Sequence, residues 1–255
     1  MSDPEPIVVV MARSPLGARA PKSRLAGVLP NEADRRRLAA AFLEDVLATC
    51  RTVNSAHLRV AHTVDGGTDG FEAAGATPDQ LLPQRGDSLG DRERGVFEDL
   101  FGSGFSPVVM IGADLPTLPA TQIRTAIDHL QTDQNQVVLG PSEDGGYHLI
   151  GLARGAPPTA VPDLFSDIRW STEWTYADTA TAAERCGLDV HRLATWYDID
   201  DAPGLARLRA DLATKSGRRQ APATTRVLEA LDAERVWRSA ASAWQGARRE
   251  RPGRP

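Results

Sequence analysis

Short, unbroken apolar runs, each closed by a glycine or a polar loop, constrain this chain most. Ile7–Met11 reads IVVVM, Val108–Gly112 reads VVMIG and Val137–Gly140 reads VVLG. None of them alternates apolar with polar residues, as a strand with one wet face would. Each therefore predicts a strand buried on both faces. Leu58–Val64 and Val190–Leu193 read as further strands. Between the strands lie stretches of helical period. Asn31 is placed as an N-cap, with Glu32 and Asp34 in the first turn where the helix dipole favours acids. Leu38, Phe42, Val46 and Thr49 then recur on one face. Phe97, Leu100 and Phe101 belong to a helix ending at Gly102. Thr121–Leu130, Glu173–Cys186 and Pro203–Leu212 read as helices, the last with Leu205, Leu208 and Leu212 turned inward. Repeated β-loop-α units predict an α/β protein with a mostly parallel sheet covered on both faces. Such sheets collect ligands at the carboxyl ends of their strands. The informative segments are therefore Ala12–Arg24, Asp65–Gly70, Gly112–Pro116, Gly140–Gly146 and Thr195–Asp201.

With 255 residues the chain forms one large domain or two small ones. No apolar run approaches the roughly 20 residues that span a bilayer. The start, MSDPEPIVVVMARS, lacks the basic region of a signal peptide. A cytoplasmic protein without a membrane span is expected. Cys50 and Cys186, far apart in helical contexts, read as reduced thiols. The net charge of −5 is unevenly placed: residues 215–255 hold ten Lys/Arg against four Asp/Glu, which leaves −11 on residues 1–214. An acidic body is a poor surface for nucleic acid. Residues 214–222, TKSGRRQAP, read as a polar linker. Beyond them Trp237, Ala240, Ala241 and Trp244 share a helical face that docks on its own domain or, alternatively, in a homodimer, and RRERPGRP frays. The expected organisation is a domain over 1–213, then a basic linker, a helix and a disordered tail over 214–255.

Four strand ends carry chemistry. ARSPLGARAPKSRLAG mixes small residues, glycine and proline with Arg19, Lys22 and Arg24 between a strand and a helix. That composition suits a phosphate, although neither GxxxxGK[ST] nor GxGxxG is present, and an ordinary basic loop reads equally well. In VVMIGADLPTL, Asp114 sits at the tip of an apolar strand. A carboxylate there needs a partner, and a divalent cation shared with phosphates supplies one; an N-cap for the helix near Leu118 is the plainer reading. In TWYDIDDAPGL, Asp201 is placed to cap a helix with Pro203 in its first turn. Asp198 and Asp200, two apart in an extended segment, face the same way and can complete a metal site with Asp114. In GPSEDGGYHLIGL, Gly145 and Gly146 permit close backbone approach. Glu143 or Asp144 can act as a base toward an acceptor hydroxyl, and an Asp-Gly hairpin explains the same stretch without chemistry.

Taken together and in order, RSPLGARAPKSRLA, GDSLGDR, IGADLPTL, GPSEDGGYHLIGL, WST and WYDIDDAPGL resemble the DUF2064 or rSAM/selenodomain-associated transferase 1 proteins. These are bacterial proteins of glycosyltransferase-A fold related to 2-phospho-lactate and molybdenum-cofactor guanylyltransferases. The resemblance runs from about Ile7 to Leu212. It implies a three-layer GT-A-like nucleotide-diphospho-sugar transferase domain. It implies that Arg13, Gly17, Lys22, Arg24, Leu89 and Gly90 hold the nucleotide and its phosphates, and that Asp114, with Asp198 and Asp200, binds Mg²⁺ or Mn²⁺. Gly145, Gly146, Tyr147, Trp170, Ser171 and Thr172 would line the acceptor side, with Asp144 or Glu143 as base. The chain departs from the family in a longer loop between Pro15 and Lys22, in Ala-Asp-Leu-Pro for Ser-Asp-Cys-Pro, and in Tyr147-His148 for a tyrosine pair. Strand alternation points His148 away from Tyr147 as a packed residue.

Three functions fit this reading. In the first, an acceptor nucleophile attacks the sugar of a nucleotide-diphospho-sugar, and a metal neutralises the departing diphosphate. In the second, a phosphorylated small molecule attacks the α-phosphorus of an NTP and pyrophosphate leaves. The third is nucleotide binding without turnover. The acidic EDGGY loop favours a neutral acceptor and so the first, while PKSRLA favours the second.

Overall fold

The computed structural model describes residues 4–154 and 161–234. Its centre is a seven-stranded sheet: β1 (Ile7–Ala12), β2 (His57–His62), β3 (Leu81–Pro83), β4 (Val108–Gly112), β5 (Gln136–Pro141), β6 (Tyr147–Leu152) and β7 (Asp189–Arg192), in the order β3-β2-β1-β4-β6-β5-β7. Every pairing is parallel except those of β6, which runs antiparallel to both β4 and β5. The expected mostly parallel α/β sheet is the one found.

The apolar runs behave as their composition requires. Val8, Val10, Val109 and Ile111 turn to one face and pack with Leu43 and Val46 of α1 (Glu32–Arg51), Phe71 of α2 (Asp69–Ala73) and Ile123 and Ile127 of α4 (Ala120–Thr132). Ile7, Val9, Val108 and Met110 turn to the other, against Val96, Phe97 and Phe101 of α3 (Leu89–Gly102) and Ala183 of α5 (Thr175–Arg185). Alternate residues of one strand thus serve two cores, which is why no polar residue interrupts the runs. Helix starts follow the expected caps. The Asn31 side chain accepts from the Ala33 N–H at 3.0 Å. Asp201 accepts from the Gly204 N–H at 2.9 Å and begins α6 (Ala202–Leu212). His148 is buried on the side opposite Tyr147, its ring between the Pro141 carbonyl and the Gln122 side chain.

The segment read as a polar linker is structured. Residues 215–220 form a short helix, α7 (Lys215–Gln220), and residues 222–234 are helical. A third core holds them: Ala221, Leu228 and Leu231 pack with Leu25, Leu29, Leu38, Phe42, Tyr197, Ile199, Leu205, Leu208 and Leu212. Four well-spaced apolar residues in a basic stretch were too sparse to register as a helix face, yet each is almost fully buried (Ala221, Ala223, Leu228 and Leu231 are at most 3% exposed). The docking is fixed by Asp45 of α1, 1% exposed, whose carboxylate accepts from the Ala223 and Thr224 N–H groups at 2.9 and 2.8 Å. It thereby satisfies two donors that the start of a helix leaves open. Trp237, Ala240, Ala241, Trp244 and the RRERPGRP end lie outside the described residues.

Replacing Asp45 with alanine strands both N–H groups in the interior. It should lower unfolding stability by about 2–3 kcal/mol in urea titrations, and raise amide exchange in residues 222–231 first.

Candidate functional site

The carboxyl ends of β1, β4 and β5 open on one edge of the sheet, and backbone hydrogen bonds draw a further segment among them. After β7, residues 196–200 run beside the end of β5 and the end of β4. Trp196 N–H donates to the Pro141 carbonyl at 3.0 Å, the Glu143 N–H donates to the Trp196 carbonyl at 3.1 Å, and the Ile199 N–H donates to the Asp114 carbonyl at 3.2 Å. Three acid-bearing segments separated by as many as 86 residues of chain are thereby brought together. Ile199 and Tyr197, both buried, root the segment in the third core.

Lys22 closes the group. Its Nζ lies 2.6 Å from Asp114 Oδ2, 3.0 Å from Asp200 Oδ1 and 2.8 Å from the Ile199 carbonyl. The lysine side chain is 4% exposed, whereas those of Asp114 and Asp200 are 42% and 45% exposed. Burial alone would lower the lysine pKa, but the two carboxylates outweigh it and hold the ammonium charged. The Phe42 ring lies 5.5 Å beneath the nitrogen. Lys22 takes the left-handed backbone region (φ 53°) at the entrance to the 3₁₀ turn Ser23–Gly27, and Leu25 of that turn is fully buried in the third core. Arg24 is exposed and reaches only to 3.8 Å from Asp200. Asp198 sits within the same field. Burial, then Asp200, then Asp144 push its carboxyl up to about 6, while Lys22 depresses that of Asp200 against the effect of burial.

The EDGGY stretch is the hairpin between β5 and β6, and its two acids part company. Glu143 is ion-paired with Arg207 of α6. Asp144 accepts from the Gly146 N–H at 2.9 Å and lies close enough to Asp198 to raise it. Gly145 has φ +89°, and a side-chain carbon there would stand 2.3 Å from the Glu173 carbonyl oxygen; its own carbonyl accepts from Tyr176 N–H at 2.9 Å. The hairpin is therefore locked against the loop carrying Trp170, Ser171 and Thr172. In that loop Ser171 is left-handed (φ 60°), Thr172 Oγ1 accepts from the Trp174 N–H, and Trp170 covers Gly90, where a Cβ would lie 2.9 Å from the indole. Leu89 and Gly90 thus begin α3 under a capping box of Ser88 and Asp91, with Gly90 small because the tryptophan sits on it. Tyr147 meets Trp170 edge-on at 6.4 Å and gives its hydroxyl to buried Glu93 at 2.5 Å. Burial lifts Glu93 to about 7 and, together with Glu93, lifts the Tyr147 hydroxyl.

Beside the acids, toward β2 and β3, a cleft of about 370 Å³ is lined by Arg13, Ser14, Arg19, Thr63, Val64, Asp65, Gln84, Gly86 and Arg92. Of the residues expected on the nucleotide side, Arg13 lines this cleft. Gly17 adjoins it, packed so close to Asp65 that a Cβ would meet the carboxylate at 2.9 Å. Lys22 and Arg24 stand with the acids instead. Asp65 opens one of the strand-end segments singled out in the sequence, whereas sequence reasoning missed Gln84 and Arg92. Gln84 and Arg92 flank β3 and the start of α3, and the three-residue β3 gives no periodic signal. Glu93 was missed because a lone glutamate in a helix reads as a solvated one.

The acid group fits a hard divalent cation by its chemistry. Asp114 and Asp200 already converge on one positive charge, every donor is oxygen, and both carboxylates keep an exposed edge. Mg²⁺ asks for no more than one or two carboxylates when phosphate and water complete its shell. Among the described residues no set of three or more His, Cys, Asp or Glu side chains closes a metal cage, and no helix is long and apolar enough to cross a membrane.

The chain is similar to known proteins in sequence and in fold. The family described as "Uncharacterized protein conserved in bacteria (DUF2064)" matches residues 46–172. A 2-phospho-L-lactate guanylyltransferase of Halobacterium salinarum is 32% identical over 197 residues, which cover 75% of this chain and 80% of the relative. The crystal structure of a candidate nucleotide-diphospho-sugar transferase from Desulfovibrio desulfuricans G20 superposes with a TM-score of 0.78 at 28% identity, over 90% of this chain and 96% of that one. CMP:2-keto-3-deoxy-manno-octonic acid synthetase, solved with CTP, shares the fold at a TM-score of 0.52 and 13% identity, over 82% of this chain and 98% of that one.

Two outcomes follow from the hairpin and its anchor. Gly145→Ala places a carbon inside the Glu173 backbone at a positive φ; it should cost about 2 kcal/mol or more in denaturant unfolding, with faster amide exchange in residues 142–147 and 171–176. Glu93, raised from 4.5 to about 7 in the folded state, contributes stability that is complete below pH 4.5 and lost as pH rises through 7. Glu93→Gln should remove this slope, so that relative to wild type the variant gains about 3 kcal/mol between pH 4 and pH 8 in unfolding midpoints.

Proposed function

The chain belongs to the DUF2064 family, on the nucleotide-diphospho-sugar transferase fold and related to the 2-phospho-L-lactate guanylyltransferases, and on that footing we propose that it transfers a sugar from a nucleotide-diphospho-sugar to a small hydroxyl-bearing acceptor. The observation that carries the reading is the division of charge along the strand ends. The cleft beside β1, β2 and β3 presents Arg13, Arg19 and Arg92. The hairpin side presents Glu143, Asp144 and Asp198, of which only Glu143 is neutralised by an arginine. A diphosphate suits the first region and an uncharged acceptor suits the second; a phosphorylated acceptor would meet like charge.

In this reading the nucleotide lies in the arginine-lined cleft, with Gly17 and the start of α3 at Leu89 and Gly90 bounding it. Asp114 and Asp200, with Asp198 beside them, would hold Mg²⁺ or Mn²⁺, which when bound would neutralise charge on the leaving diphosphate. Asp144 is oriented by the Gly146 N–H and takes the acceptor proton. Asp198 shares its field and keeps a second proton-accepting oxygen close by. Trp170, Ser171 and Thr172 face the acceptor with Gly145 and Gly146. Tyr147 supports them from behind, because its hydroxyl is committed to Glu93.

The identity to a guanylyltransferase over 80% of that enzyme's length favours one second reading, nucleotidyl transfer from an NTP to a phosphorylated small molecule. The two differ in product. Incubation with UDP-, GDP- and dTDP-sugars, and separately with NTPs, each with Mg²⁺ or Mn²⁺, should release nucleoside diphosphate; release of pyrophosphate from an NTP would instead establish the second reading. Asp114→Ala should abolish the metal-dependent turnover. Asp144→Asn should depress turnover at least about 100-fold while changing nucleotide affinity less than threefold, and equal loss of both would remove Asp144 from the chemistry.

A further inference from the structure

Helix α3 turns one stripe toward the hairpin and the Trp170 loop: Gly90, Glu93 and Phe97, spaced three and four apart and therefore on one helical face. Each position carries one piece of that wall. Trp170 lies on Gly90, where a Cβ would stand 2.9 Å from the indole. Phe165 stacks on Phe97 with ring centroids 5.9 Å apart. Tyr147, which opens β6 directly after the hairpin, gives its hydroxyl to Glu93 at 2.5 Å and meets Trp170 edge-on. The wall is also tied to itself. The Gly145 carbonyl accepts from the Tyr176 N–H at 2.9 Å, and the Thr175 hydroxyl donates to the Arg169 carbonyl at 2.9 Å. The flanking positions of the stripe are bare or apolar and indifferent to pH. The middle one ends in a carboxyl, on a residue 6% exposed.

Among the described residues no cation shifts that carboxyl: burial and the Tyr147 hydroxyl are what act on it. Arg92 lines the cleft, Arg94 is paired with Asp163, Arg169 is paired with Asp178, and Arg192 lies over the Tyr176 ring. The Thr179 hydroxyl of α5 adjoins that of Tyr147 and brings no charge. A neutral carboxyl suits this place. An anion there would have a phenol for a partner and no counter-charge, which is a costly form of burial, and opening to water relieves it.

We infer that Glu93 is a proton-dependent latch: with its proton it seats Tyr147, Trp170 and the hairpin on α3, and on losing the proton it releases residues 144–147 and 169–176 as one unit. Glu93 is a positioning residue that acts through Tyr147. That the released unit is an acceptor wall rests on the functional reading above; the latch itself rests on the packing of α3, β6 and the Trp170 loop.

Hydrogen exchange of the whole chain between pH 4.5 and pH 8.5, corrected for the intrinsic rate and read by mass spectrometry, tests the latch. Glu93 is raised from 4.5 to about 7 when seated. The seated state is therefore fully favoured below pH 4.5 and loses about tenfold per pH unit up to about 7, where the loss levels off at ~300-fold. Protection in residues 144–147 and 169–176 should fall along that course. It should start at least about tenfold below that of β1, because the wall opens without unfolding the sheet. Glu93→Gln should hold the protection level across the whole range. Tyr147→Phe removes the donor that favours the anion, so its decline should run on past pH 7 before levelling. Protection that ignores pH in wild type, a slope that survives Glu93→Gln, or exchange of the wall that coincides with that of β1 at every pH and urea concentration would each overturn the inference. The readout needs no substrate. Absence of both nucleoside diphosphate and pyrophosphate release would sink the functional reading alone, with exchange still deciding the latch.

Discussion

One ammonium group holds the carboxyl edge of this sheet in register. Lys22 belongs to the loop after β1, Asp114 to the end of β4, and Asp200 with the Ile199 carbonyl to the segment after β7. These pieces have no strand pairing in common at that point, because the sheet has already ended. What joins them is a buried ammonium held between two half-exposed carboxylates: removing the acids would strand the lysine charge in a poor solvent for ions. The geometry of the acids is thus set by electrostatics placed on top of hydrophobic anchors. Leu25 holds the lysine's turn and Ile199 holds the aspartate's strand, and both sit in the same small core.

That third core explains why the C-terminal helices belong to the story of the site. The two large cores fill the faces of the sheet and would exist in any protein of this architecture. The third fills the space beneath the loop after β1, and half of its buried residues come from α6 and from Ala221 onward. Arg207 of α6 reaches back to Glu143 and lies 3.9 Å over the Tyr197 ring. The same helix therefore supports the acidic segment from below and neutralises one hairpin acid from the side, which leaves Asp144 as the acid of the pair without an arginine.

The sequence made some of this legible and hid the rest for physical reasons. Strands buried on both faces announce themselves, and a carboxylate at the tip of such a strand stands out because nothing apolar explains it; Asp114 was readable in that way. The pairing of Asp198 and Asp200 was readable from strand alternation, and the packing of His148 from the same rule. The partnership of Lys22 was not, because the composition of a basic loop does not show which acids its lysine will meet. Glu93 was invisible because burial of one helical position depends on what lies over it, here Tyr147 of β6. The arginine-lined cleft was only partly readable: Arg13 and Arg19 follow a clear strand, whereas Gln84 and Arg92 follow one of three residues. The helical residues after 214 were concealed by composition, since their outward face is as basic as any tail.

The reversed direction of β6 has a consequence for how such a protein can diversify. Parallel neighbours must be joined by long crossovers whose helices are part of the core, so the loops after β1 and β4 are tied to everything the helices touch. An antiparallel insertion changes the connection from β5 to β6 into a hairpin of five residues, 142–146, that opens on the same edge without passing through any core. The two walls of the cleft therefore stand under unequal constraint. The arginine-lined side is inherited with the scaffold, while on the opposite side the acids of a short tip can be exchanged without repacking a core, provided Gly145 keeps its close contact with the Glu173 backbone. Chains of this architecture can keep the arginine-lined cleft and change the acids that face it.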